Sequence, residues 1–147
     1  MCAVEEERIG GRVDPGAQGR EAQGMRVELI DQWHRAWEKV LARVDDLGQR
    51  QRIGVDADGW LAARQNLLAA FVGDKPAGHL CFRVEPVCRD GQVVVDRGRP
   101  VVAAQVEAVD VYPGFSDGEV RKLLKDAAVR RARDLRCGEV RGLDLDS

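Results

Sequence analysis

Cys2, Cys81, Cys88 and Cys137 are the side chains best suited to bind a metal or form a disulfide, but no two of them make a CxxC pair. Neither His34 nor His79 completes a ligand spacing with them, so the expectation is reduced thiols and no metal. Nucleophilic catalysis finds no better footing. No Ser, His and Asp follow one another around a nucleophile-elbow glycine pattern, no paired-carboxylate motif is present, and no Walker sequence occurs. Seven basic residues between Arg121 and Arg136 could meet phosphates. No aromatics are interleaved with them, so a solvated helix face explains them better than nucleic acid does.

The elements that would position any site fit in one domain. The chain has 147 residues, 44% hydrophobic and 33% charged, with a net charge of −2, so it can bury one core and carries no overall attraction for nucleic acid or an anionic membrane. No apolar run reaches the roughly 20 residues of a membrane helix, and a soluble, cytoplasmic protein is expected. Residues 1–24 hold five glycines, one proline and eight charges without a hydrophobic period, which reads as a disordered tail before a single domain at 25–147.

From Met25 onward the pattern is regular. Arg26 to Ile30 alternates as a short strand, and Asp31 stands as the N-cap of a helix whose buried face holds Trp33, Ala36, Trp37, Val40, Leu41 and Val44. A polar connection leads to an apolar turn at Trp60 to Ala63. Leu67 to Val72 and His79 to Glu85 flank a turn at Gly73 to Gly78 and form a hairpin. An extra arm over Arg89 to Pro100 precedes a long strand, Val101 to Val111. Strict alternation puts Gln105, Glu107, Val109 and Val111 on one face of that strand, with Val106, Ala108 and Asp110 on the other. A helix follows from about Asp117 to Arg136, closed by Gly138, and Glu139 to Leu145 is the last strand. The class is α/β (α+β), a sheet layered against helices.

The hairpin LLAAFVGDKPAGHLCF, the strand QVEAVDVYP and the helix VRKLLKDAAVRRARDLRCGEVRGLDL together resemble the core of the GNAT N-acetyltransferases. The resemblance covers about half of the chain, and its most specific element is the step from Val111 to Pro113 before a basic, alanine-rich helix. It implies a mixed, mostly antiparallel sheet that ends here after the family's fifth strand, and acetyl-CoA as cofactor. Backbone near Val109 and Val111 would pair with the pantetheine arm. The following loop would bind the pyrophosphate, because N–H groups at a helix N-terminus and the positive end of its dipole attract anions. Glu107, four residues before Val111, occupies the place of the family's general base for an acceptor amine. A strand glutamate paired with a neighbouring arginine is the plainer alternative.

The loop departs from the family. Its signature is Gln or Arg, two free positions, Gly, one free position, then Gly or Ala, and without a gap it falls on Ser116, Asp117, Gly118, Glu119, Val120 and Arg121. All three defining positions are changed, and the carboxylates of Asp117 and Glu119 would oppose a phosphate. A one-residue gap would restore Gly118 as the first glycine. Two functions therefore stand: an N-acyltransferase transferring acetyl from acetyl-CoA to an amine, and a non-catalytic GNAT-fold interaction module. In either case the open edge of the fifth strand is expected to be covered by a second copy or a partner chain.

Overall fold

Residues 65–72 (QNLLAAFV) are apolar on both faces, the pattern of a strand covered on each side. In the computed structural model, which describes residues 24–144, they form β2 (Gln65–Val72), which turns through Gly73 and Asp74 into β3 (Lys75–Pro86). The turn is shorter than the expected Gly73 to Gly78 because Val72 pairs directly with Lys75, and the ladder absorbs its mismatch in a bulge after Ala70. β1 (Met25–Ile30) lies antiparallel on the far side of β2. Beyond β3 come two small ribbons, Cys88–Arg89 (β4) with Gln92–Val93 (β5), and Val95–Asp96 (β6) with Arg99–Pro100 (β7). They form the extra arm. β8 (Val102–Val111) then returns antiparallel to β3, and β9 (Glu139–Arg141) adds in parallel, giving the order β1-β2-β3-β8-β9. All of the expected tail except Gly24 lies outside the described residues.

One helix packs on each face. α1 (Trp37–Asp46) buries Trp37, Val40 and Val44, at three- and four-residue steps, against Ile30, Leu67, Phe71, Cys81 and Ala108. α2 (Asp117–Asp134) lays Val120, Leu124, Ala127, Ala128 and Ala132 on Leu68, Leu80, Phe82, Val106 and Val109. Its three alanines let the helix axis approach the sheet closely. Among the described residues no helix is long and apolar enough to cross a membrane.

Four expectations need correction. α1 begins at Trp37, not after Asp31, because the Asp31 carboxylate accepts the Trp33 N–H at 2.9 Å and the His34 ring accepts the Ala36 N–H at 2.9 Å. These local bonds hold a turn in place of a helical start. Trp33 is therefore 74% exposed rather than core. Ile53, within the supposed polar connection, is fully buried under α1. α2 stops at Asp134 because Arg136 takes a left-handed conformation (φ 62°), while Gly138 donates to Val102 and steers the chain into β9. Finally, β9 is only three residues long: Gly142 (φ 84°) turns the chain away.

Candidate functional site

The alternation expected along β8 breaks at Glu107. Ala108 pairs with Cys81 and Val106 with Phe82, leaving Glu107 as the extra residue of a β-bulge. Val106 and Val109 consequently both face α2, while Ala108 faces α1. The expected common face of Gln105, Glu107, Val109 and Val111 is thus split by one inserted residue.

The bulge aims Glu107 at the α1 side. One carboxylate oxygen accepts Arg83 Nη1 at 2.5 Å and the other accepts Gln65 Nε2 at 3.0 Å, and the Glu107 carbonyl accepts Arg52 Nε at 3.0 Å. The side chain keeps 20% of its surface exposed. A carboxylate so held is fixed in direction and still open to water, which suits proton transfer and suits a structural ion pair equally.

The bulge also stands where the sheet opens. β9 pairs with β8 only at Ala103, Ala104 and Gln105, and then Gly142 turns the chain away. A side chain at Gly142 would lie 2.9 Å from the Val106 carbonyl, so only glycine allows the turn so close to β8. From Val106 to Val111, β8 continues without β9 beside it, past Val109 in the core and Val111 at its margin. It ends in Pro113 and Gly114 (φ 93°), and Ser116 starts α2.

The run Ser116 to Arg121 does not act as one surface. Ser116 makes no side-chain cap bond, and Ser116, Asp117, Gly118 and Glu119 are exposed, so no serine oxygen covers the first N–H groups of α2. Val120 is fully buried. Arg121 grips Asp117 with two bonds, 2.9 and 3.2 Å, and that guanidinium holds the Asp117 carboxyl below its usual range. Glu119 turns into a shallow cleft with Met25, Lys122 and Leu123. Of the two carboxylates expected to oppose phosphate, Asp117 is therefore paired with Arg121, and Glu119 lines the cleft that Met25 of β1 shares. Gly118 has no atom within 4 Å of a prospective Cβ, so its backbone can be approached closely.

A buried polar cluster lies beside these elements. His79 and Asp110 face each other across β3 and β8. His79 Nδ1 is 2.6 Å from the Tyr112 hydroxyl, and Nε2 is 3.0 Å from Gln49 Oε1 and 3.5 Å from Asp110 Oδ2. With two acceptors at Nε2, that nitrogen carries the proton and Tyr112 donates to Nδ1. No spacing in the sequence announces this cluster, since Gln49 reaches it from the loop after α1. Among the described residues no group of three or more His, Cys, Asp or Glu is arranged to hold a metal.

Burial draws the His79 imidazole down to about 4, against the opposing pull of Asp110. Above the ordinary value of 6.5 both the folded and unfolded chains are neutral there. Below it, the unfolded chain takes up a proton that the folded chain refuses, so stability falls as pH drops from 6.5 toward 4, by on the order of 3 kcal/mol. Urea midpoints of the wild type and His79→Gln between pH 7 and pH 4 should therefore converge. Parallel curves would show that His79 is not the group responsible.

No protein-family model matches the chain, and no curated protein matches it. Solved structures do. A ribosomal-protein-alanine N-acetyltransferase from Brucella melitensis biovar Abortus superposes with a TM-score of 0.58 at 17% identity, over 79% of this chain and 76% of that one. A GNAT family acetyltransferase from Staphylococcus aureus gives 0.54 at 13% identity, over 84% and 93%. AAC(6')-Iy in complex with a CoA-based bisubstrate analog gives 0.53 at 18% identity, over 79% and 76%. These likenesses identify the fold of this chain as that of the GNAT acetyltransferases.

Proposed function

We propose that this chain is an N-acyltransferase that moves an acetyl group from acetyl-CoA to an amine. The observation that carries the reading is the parting of β8 and β9 beside an α2 N-terminus that no side chain caps. Those N–H groups and the helix dipole suit the pyrophosphate, Gly118 leaves room for it, and the strand edge at Val109 to Val111 suits an extended pantetheine arm. When bound, the cofactor would supply an acetyl group activated as a thioester. The amine nitrogen would bond to the acetyl carbon as the carbon–sulfur bond breaks and the thiolate leaves. Glu107, directly or through water, would accept the proton that the amine gives up, and Arg83 and Gln65 keep its carboxylate aimed. That relatives of this fold act on ribosomal protein or bind CoA analogs agrees with an amine acceptor and with CoA.

Calorimetry of the full chain with acetyl-CoA tests this reading. Saturable one-to-one binding is expected, and Arg121→Gln, which leaves Asp117 uncompensated, should weaken it several-fold. No saturation up to about 1 mM would sink it. The non-catalytic module would then stand, supported by the bonds that Arg83 and Gln65 make to the two Glu107 carboxylate oxygens.

A further inference from the structure

The three tryptophans of the chain, Trp33, Trp37 and Trp60, gather at one place. Trp37 and Trp60 line a cleft of ≈ 510 Å³ between α1 and the turn at Asp56 to Trp60, and Trp33 meets Trp60 edge-on with ring centroids 5.4 Å apart. Trp33 is 74% exposed and Trp60 51%. Two indole rings left in water beside a concavity of small-molecule size make a recognition surface, and the electron-rich face of indole selects cations.

The charge around the rings points the same way. Glu38, Asp45 and Asp58 line the cleft, and none of the lining residues is basic. Asp45 is committed to Arg50 by two bonds of 2.9 and 2.8 Å. Glu38 and Asp58 have no ion-pair partner among the described residues, so two carboxylates remain uncompensated at one cleft.

The walls are set before any ligand arrives. Asp56 Oδ1 accepts the N–H groups of Asp58 and Trp60 at 2.9 and 3.0 Å, and Gly59 (φ 81°) completes the turn. The Leu61 N–H donates to Gln32 at 3.1 Å and ties this loop to the segment entering α1.

We propose that this cleft binds a small organic polycation, an alkylamine with at least two ammonium groups, seated against Trp60 and answered by Glu38 and Asp58. The site lies outside the β8/β9 opening and its occupation does not depend on acetyl transfer. A chain of methylenes between ammonium groups would use both the apolar surface of Trp37 and Leu41 and the carboxylates.

The test uses spermidine as probe, at fixed ionic strength and without acetyl-CoA, read by tryptophan emission and by calorimetry. Because every tryptophan is at or beside the cleft, emission reports on this site. A saturable change with Kd below about 1 mM is expected. The exposed pair of substitutions Glu38→Gln and Asp58→Asn should weaken it at least tenfold, with an unchanged melting temperature, and neutral triethylene glycol should give no response. A non-saturating response, or one that the double variant leaves intact, would overturn the proposal. So would binding of a tetralysine peptide without binding of spermidine, which would assign the surface to a polypeptide. Loss of acetyl-CoA binding alone would leave this site standing.

Discussion

Gly78→Ala is expected to lower the melting temperature by roughly 10 °C, the equivalent of about 3 kcal/mol. Gly78 lies on β3 opposite Val111, under the first turn of α2. A methyl group there would sit 2.6 Å from the Asp110 carbonyl, 2.9 Å from Val120 Cγ1 and 3.3 Å from Val111 Cα. Val120 could turn, but the Asp110 carbonyl is fixed by the β3–β8 ladder, so the strands must part. The parting would also lift the start of α2 and misplace the edge at Val111, so acetyl-CoA binding should fall with stability. Gly118→Ala is the control. No atom lies within 4 Å of its prospective Cβ, so alanine should leave the melt unchanged or raise it, by up to about 1 kcal/mol for a helical glycine. If the two variants melt alike, β3 and β8 are not packed as described.

Hydrophobic pattern alone locates β2, β3, β8 and α2, because each carries an apolar run long enough to be read across a local irregularity. The order of these elements then suggested the sheet, and the acetyltransferase-like architecture followed from the step at Val111 to Pro113. What escaped were single-residue events governed by partners distant in sequence. The bulge at Glu107 inverts which residues share a face, and nothing in EAVDVY announces it: the pairing of Phe82 with Val106 and Cys81 with Ala108 decides it. Trp33 fits a helical stripe as well as Trp37 does, and only the competing bonds of Asp31 and His34 put it in water. In the candidate site, Ser116, Glu119 and Arg121 are readable as departures from a phosphate loop. That Arg121 would neutralise Asp117 was hidden in an ordinary i, i+4 spacing on the helix.

Glu107→Gln should separate the two functions most sharply. Glutamine keeps the shape and its one oxygen still accepts from Arg83, while its amide N–H2 meets the Gln65 Nε2 donor, so Gln65 loses that bond or flips away from the Ile53 carbonyl; the bulge itself is held by the β3–β8 ladder and survives. The ion pair it loses is partly exposed, with Arg83 at 41% and Glu107 at 20%, and such pairs contribute less than about 1 kcal/mol, so the melting temperature should move by only a few degrees. A general base contributes about 10²–10⁴-fold to rate. Amine-dependent release of CoA thiol from acetyl-CoA should therefore fall by roughly 10²-fold or more in kcat, with little change in the binding of acetyl-CoA, whose proposed contacts are farther along β8 and at α2. Arg83→Met provides the second arm. It leaves the carboxylate in place but removes the bond that aims it, so kcat should fall by less than in Glu107→Gln and the pH–rate profile should shift. Equal turnover by Glu107→Gln and the wild type would make Glu107 a partner of Arg83 and nothing more, and the bulge would then be a device of the fold rather than of catalysis.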